Sequence, residues 1–252
     1  MTATIDSSVL DIDLGNSAMK YRCGAHSGSI AHRVDGSADL AAAELEVLDG
    51  GLIRRIRLGT VMGAALSQRF AEEAMERWGV VVEFARSSAA VGRVTNGYAD
   101  PETLGVDRWL AVLAAYHRWR KAVLVIDLGT ATTLDYVDES GQHLGGYIVP
   151  GTHLMQSALL KDTAAIDFGA PSQTLAGLVE PGRSTAEAVT WGTLLAVTHL
   201  LEGEIDRFGR QYPGGCVGVL CGGASREIVR HLKSNIIVVP ELVLDGLSVA
   251  LP

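Results

Sequence analysis

Cysteine is scarce in this chain. Cys23, Cys216 and Cys221 make an odd number with no paired spacing, which excludes a zinc-finger pattern and an obvious disulfide framework. No run approaches the roughly 18 apolar residues that a membrane span needs, and the N-terminus has no signal-like pattern. These absences predict a cytoplasmic protein with no membrane partner. Clustered positive charge is also missing. The formal net charge is −8, and basic groups such as Arg54-Arg55 and Arg118 to Lys121 are short, scattered and best read as solvated faces. Nucleic acid is therefore excluded as a main partner, because binding a phosphate backbone requires clustered Lys and Arg. The histidines are dispersed, and His117 and His199 fall in helix-like stretches without a metal-spaced partner. No low-complexity or coiled-coil segment is present.

What remains is 48% hydrophobic and 20% charged, with 29 glycines, a composition of a soluble α/β protein. A length of 252 residues permits one large domain or two ordinary ones. The chain repeats itself. Val9-Leu10-Asp11-Ile12-Asp13-Leu14-Gly15-Asn16-Ser17 is matched by Val123-Leu124-Val125-Ile126-Asp127-Leu128-Gly129-Thr130. Each copy is an apolar strand running into Asp-Leu-Gly and a small polar residue. The interval is nearly half the chain, which suits a duplicated half-molecule and not a solenoid repeat. Asp supplies a hard oxygen for Mg²⁺, Gly lets the backbone turn close to an anion, and the following hydroxyls and N–H groups can donate to phosphate. One copy would equally suit an ordinary turn; two copies point to nucleotide chemistry.

Periodicity supplies the coarse organisation. Residues 9–14 read as a buried strand with a hairpin partner at 19–23, and residues 52–61 and 80–84 as further strands. Leu66, Phe70, Ala74 and Trp78 recur at helical spacing before Gly79. Residues 87–103 read as loop, and 106–120 as a helix. The second half opens with a strand at 122–126 and a partner at 132–137. Gly145-Gly146 to Pro150-Gly151 reads as a second glycine-rich turn. Helices follow at 153–162 and 185–208, the latter with a stripe of Leu194, Val197, Leu201 and Ile205. A strand at 217–220, a turn at Gly222-Gly223, a short helix at 225–233 and a strand at 236–239 complete the reading. Strands that open each half, with helices after them, predict two α/β lobes at 1–120 and 121–252.

Four groups could carry chemistry. Lys20, on the strand after the first motif, could reach a phosphate as a point charge. Gly105-Val106-Asp107-Arg108 sits at a loop-to-helix junction. Asp107 there is either a helix-dipole partner or a general base, and Arg108 with the helix N-terminus could hold an anionic or polar substrate. Ser184-x-x-Glu187 fits a capping box, and Thr185 could still present its hydroxyl. Gly222-Gly223 either makes a turn or lets a flat nucleoside lie against backbone.

On these residues the chain resembles the type III pantothenate kinases. The resemblance rests on Asp13-x-Gly-Asn-Ser-x-x-Lys20, on Tyr98 with Pro101 and Gly105-Val-Asp-Arg108-Trp109, and on Asp127-x-Gly-Thr-Ala-Thr-Thr133-x-Asp135. It continues through Gly145-Gly-x-Ile-x-Pro-Gly151, Gly182 to Thr185, Gly222-Gly-Ala224 and Leu242-x-Leu-Asp-Gly-Leu247. It implies two duplicated ribonuclease-H-like lobes of the actin-like ATPase kind with the nucleotide cleft between them. The N-terminal lobe would carry the phosphate and acceptor loops, and the C-terminal lobe the cation and adenosine contacts. The implied reaction is transfer of the ATP γ-phosphate to pantothenate, the first step of coenzyme A synthesis. Asp13, Leu14, Gly15, Asn16, Ser17, Ala18, Met19 and Lys20 fall on the family's phosphate-binding segment, with Thr130, Gly222 and Gly223 as further ATP contacts. Tyr98, Gly105, Val106, Asp107, Arg108 and Thr185 fall where the family holds pantothenate, with Asp107 as proton acceptor. Asp13 would hold Mg²⁺ through the phosphates, and Asp127 a monovalent cation, K⁺ or NH₄⁺. The family is homodimeric. Ser17 stands where Thr is more usual, and Cys221 where a hydroxyl residue often precedes Gly-Gly. Two rival readings are a kinase of the same superfamily acting on another small hydroxy substrate, and a non-enzymatic regulatory relative that kept the fold.

Overall fold

The computed structural model describes residues 7–31, 53–162 and 180–252. They form two compact units.

The first unit draws on Met1–Arg120, with Ser140–Leu144 and Glu241–Pro252. Its sheet contains β1 (Val9–Leu14), β2 (Ala18–Cys23), β3 (His26–Ala31), β4 (Arg55–Thr60) and β5 (Val82–Phe84) in the order β3-β2-β1-β4-β5. β1 runs antiparallel to β2 and parallel to β4. Leu10, Ile12 and Leu14 alternate along β1 and are fully buried with Phe70 and Ala74 of helix α1 (Ala64–Trp78). The expected stripe on α1 is therefore a core face, and Gly79 closes the helix in the left-handed conformation. Residues 87–103, expected to be loop, contain a two-residue-per-strand hairpin, β6 (Ala90–Val91) with β7 (Val94–Thr95), and a 3₁₀ turn at Pro101–Thr103. Strands this short leave no periodicity to read.

Helix α2 (Val106–Trp119) follows, and the C-terminal helix Leu242–Ala250 packs on it. Missing side chains make this contact close. A Cβ at Gly59 would stand 2.7 Å from Leu110 Cδ1, and one at Gly246 would stand 2.6 Å from the Leu110 carbonyl carbon. Charge then fastens the end of the chain. Asp11 accepts from Arg57 Nε at 2.7 Å and Nη2 at 3.1 Å, and Arg57 Nη1 donates to the Leu251 carbonyl at 3.1 Å. Arg22 adds a bond to Asp245 at 2.6 Å. Arg55, expected on a solvated face, grips Glu83 with two parallel bonds of 2.8 and 2.7 Å.

The second unit, Lys121–Glu139 with Gly145–Pro240, repeats the plan. β8 (Ala122–Leu128), β9 (Ala131–Val137), β10 (His143–Pro150), β11 (Cys216–Cys221) and β12 (Ile237–Val238) take the order β10-β9-β8-β11-β12. β8 is antiparallel to β9 and parallel to β11, just as β1 is to its neighbours. Helices α3 (Thr152–Asp162), α4 (Thr185–Gln211) and α5 (Ser225–Ile228) belong to this unit. The C-terminal helix is numbered α6. Leu194, Val197 and Leu201 of α4 are buried against the sheet, with Phe208 continuing the stripe. Each such side chain contributes about 1.5–3 kcal/mol on burial.

One expected turn is a strand. Gly145-Gly146 lie inside β10, which stands at one edge of the described sheet. Gly145 has φ +95°, a value that suits Gly and the irregular geometry that edge strands tolerate. The composition of a turn is there, but the segment pairs as part of a strand.

Candidate functional site

The repeated motif becomes a repeated structure. Asp13 is the penultimate residue of β1, opposite Lys20 on β2 and Gly59 on β4. Asp127 is the penultimate residue of β8, opposite Thr133 on β9 and Cys221 on β11. After each, glycine closes a tight turn. Gly15 N–H donates to Ala18 O at 3.1 Å, and Gly129 N–H to Ala131 O at 3.0 Å.

In the first turn Asn16 and Ser17 are exposed, while Asp13 is buried at the strand end. Leu14 and Met19 have buried side chains in the core, so only their backbone can meet a ligand. Lys20 is half-buried and directly across from Asp13, and directly opposed residues project to the same sheet face.

The loop that leads into α2 is built by its own polar residues. Buried Asn96 donates from Nδ2 to Ser88 O and Pro101 O, both at 3.2 Å, and accepts from Tyr98 N–H at 3.0 Å. Asp100 accepts from Glu102 N–H at 3.3 Å and starts the 3₁₀ turn. Gly105 caps α2, and the Asp107 carboxylate folds back over it: Oδ1 accepts from Arg108 N–H at 2.8 Å and would stand 2.7 Å from a Cβ at Gly105. A side chain at residue 105 would displace that carboxylate. Arg108 Nη1 donates to Tyr98 Oη at 2.7 Å, with the guanidinium 5.6 Å from the ring centroid. Arg108 is only 6% exposed, so its charge sits in poorly solvated surroundings where an anion gains most. Val106 is largely buried and Trp109 wholly so; they anchor the helix in the core. Leu110, one turn beyond Asp107, rests above Gly59, the partner of Asp13. Asp13 and the N-terminal turn of α2 therefore lie toward the same end of this unit's sheet.

In the second unit Gly222 crowds the Asp127 carboxylate, while Gly129 and Thr130 beyond it are exposed. Gly222, with φ +87°, leaves no room for a Cβ beside Asp127 Oδ1 and Leu128. Cys221 Sγ donates to Asp127 Oδ2 at 3.4 Å. Gly223, in contrast, is exposed and has nothing within 4 Å of a Cβ; its lack of a side chain leaves open space. Gly151 N–H donates to Thr130 O at 3.0 Å, and the carbonyl oxygens of Gly129 and Thr130 both lie 2.7 Å from where a Cβ on Gly151 would be.

Thr185 is exposed in the first turn of α4. Ser184 Oγ accepts Glu187 N–H at 3.2 Å, as the capping box requires, but Glu187 reaches back to Arg183 N–H at 2.7 Å. Thr185 lines an open groove of about 1120 Å³ with Pro150, Met155, Leu159 and Arg183.

The sequence model of the type III pantothenate kinases matches residues 9–207. The chain belongs to the type III pantothenate kinase family. It is 40% identical to the type III pantothenate kinase of Ectopseudomonas mendocina over 249 residues, covering 97% of this chain and 99% of that one. The Pseudomonas fluorescens relative of the same name is 36% identical over 248 residues, with the same coverage. Among solved structures, a Campylobacter jejuni protein described as a Baf family transcriptional activator aligns with a TM-score of 0.56 at 17% identity, over 95% of both chains. A Sinorhizobium meliloti protein described as a 2-dehydro-3-deoxygalactonokinase aligns with a TM-score of 0.54 at 16% identity, over 96% of this chain and 97% of that one. At such identities the likeness speaks for the fold alone: two duplicated ribonuclease-H-like lobes. Among the described residues, no helix is long and apolar enough to cross a membrane.

Reading residues in isolation missed His143. It is fully buried and stacks on Tyr98. A signal existed only in part: a histidine sat just before the Gly145-Gly146 motif, but its partner lies more than forty positions earlier.

Proposed function

We propose that the protein transfers the γ-phosphoryl group of ATP to the terminal hydroxyl of pantothenate, the first step of coenzyme A synthesis, with Asp107 as proton acceptor. The observation that carries this reading is the Asp107 carboxylate beside the part-buried Arg108–Tyr98 pair at the start of α2. Arg108 and Tyr98 offer a cation and a phenol to the acceptor's polar groups. Asp107 orients the attacking hydroxyl and takes its proton. The turn from Gly15 to Ser17 offers backbone N–H groups and exposed polar side chains to phosphate oxygens, and Lys20 adds charge. Thr130 and Gly223 are the exposed ATP contacts of the second unit, and Thr185 a further acceptor contact.

Mg²⁺ suits the first turn. Among the described residues no group of three or more His, Cys, Asp or Glu could enclose a metal, and Mg²⁺ is commonly held by one or two carboxylates plus substrate phosphates. Asp13 is the carboxylate placed for that. When bound, the ion offsets charge on the transferring phosphoryl group. A monovalent cation suits the second turn, where a carboxylate at Asp127 and the backbone carbonyls of the turn that follows it are hard oxygen donors. A carbonyl that already accepts one bond keeps a second lone pair.

The protein acts as a homodimer in this reading, and exposed Tyr147 and Ile148 on β10, with Leu154 and Leu160 on α3, are apolar surface that a second copy would cover. A reducing cytoplasm suits three cysteines that remain thiols. The test is ADP release by purified protein with Mg·ATP, pantothenate and K⁺, each omitted in turn. ADP release that depends on pantothenate and forms phosphopantothenate supports the reading; release independent of pantothenate overturns it.

A further inference from the structure

We propose that His143 is a positioning residue for the acceptor loop and sets the affinity for pantothenate through Tyr98. The proposal rests on the reading that Tyr98 and Arg108 hold the acceptor.

The segment Ser140–Leu144 lies in the first unit although its neighbours in sequence do not. It docks along the acceptor loop by a series of contacts. Thr95 N–H donates to Gly141 O at 3.0 Å, and Gln142 Nε2 donates to Thr95 O at 3.4 Å. Gly97 N–H points to His143 Nδ1 at 3.4 Å. The His143 ring then stacks on Tyr98, with centroids 6.1 Å apart and planes inclined by 18°, within the range of offset aromatic pairs. Gly141 fits only because it lacks a side chain: a Cβ there would overlap the Arg93 carbonyl and stand 3.0 Å from the Tyr116 ring.

His143 thus grips the loop twice, once through backbone at residue 97 and once through the ring at residue 98. Tyr98 in turn holds Arg108 by its hydroxyl. Imidazole is wholly buried here, and a buried polar ring keeps its place when its polar atoms have partners. With Nδ1 as acceptor, the ring proton belongs on Nε2 in the neutral form. Loss of either grip lets Tyr98 swing and moves the Arg108 guanidinium away from its bound position. Displacements near 1 Å at such a site cost up to about a hundredfold.

The experiment compares His143→Phe, which keeps a ring but not the acceptor nitrogen, His143→Asn, which keeps an acceptor near Nδ1 but not the ring, and His143→Ala, which keeps neither. The expected result is a pantothenate KM raised about tenfold or more in His143→Ala and by less in the other two, with the ATP KM within about twofold of wild type. A merely structural role would lower kcat or thermal stability without that split. Unchanged pantothenate KM in folded His143→Phe and His143→Asn overturns the proposal even where His143→Ala does not fold. Arg108→Gln distinguishes the two layers. If it raises the pantothenate KM while the His143 variants do not, only the role of His143 falls. If it leaves the pantothenate KM unchanged, the acceptor-site reading falls and His143 with it.

Discussion

Gly222 is pressed against Asp127 so closely that a Cβ on it would overlap Asp127 Oδ1 and stand 2.6 Å from the Leu128 backbone nitrogen. Its φ of +87° disfavours any L side chain as well. Gly222→Ala is therefore expected to lose about 1–3 kcal/mol of stability, in the range of strained backbone, and to move the carboxylate proposed to hold a monovalent cation. Gly223→Ala, in open space, is the control. Urea unfolding and K⁺ titration of activity check both; equal behaviour of the two variants would refute the distinction.

Asp107→Asn keeps an oxygen to accept Arg108 N–H but removes the carboxylate proposed as the base. The expected loss in kcat is about 10²–10⁴-fold, with the ATP KM and melting temperature little changed. Steady-state kinetics and a thermal melt decide it, and near-normal kcat would place the proton acceptor elsewhere.

The two duplicated aspartates should fail differently. Asp13→Ala is expected to lose Mg·ATP binding by calorimetry, because the carboxylate proposed to hold Mg²⁺ is gone. Asp127→Ala is expected to retain measurable ATP binding but to be nearly inactive and insensitive to exchange of Na⁺ for K⁺ at constant ionic strength. An ion near developing charge matters most in the transition state. Equal wild-type rates in Na⁺ and K⁺ would remove the cation from the account.

A fourth test concerns acid stability. Glu204 accepts from Tyr136 Oη at 2.6 Å and from Arg207 Nε at 2.7 Å. Burial alone would raise the Glu204 pKa, but the bonds from Arg207 and Tyr136 outweigh it and hold the carboxyl below its ordinary range. A depressed folded pKa gives stability that is present above the unfolded value, about 4.3, and lost as pH falls through the folded one. Glu204→Gln should thus melt below wild type at pH 7, and the gap should close as pH drops below about 4. A gap that stays constant from pH 7 to pH 3 would show that charge plays no part in this contact.

Much was legible from residues alone. The Asp13 and Asp127 motifs specified a duplicated architecture because an apolar strand ending in Asp-Leu-Gly is a local pattern, written in consecutive residues. The stripes of α1 and α4 and the cap at Ser184 were readable for the same reason: helical period and capping are properties of neighbours within a few positions. The resemblance to the pantothenate kinases rested on such local motifs too. Other features needed the tertiary structure. Gly145-Gly146 has the composition of a turn, and only its pairing with β9 makes it a strand. Asp11, an anomalous charge in an apolar strand, found its partners Arg57 and Arg22 across the sheet. The last helix, α6, was not foreseen, and its place on α2 depends on Gly246 meeting Leu110 and on Arg57 meeting Leu251. His143 reached Tyr98 from a distant segment. In each of these cases the deciding contact joins residues far apart in the chain, and such contacts exist only once long-range packing has overcome the entropy of bringing them together.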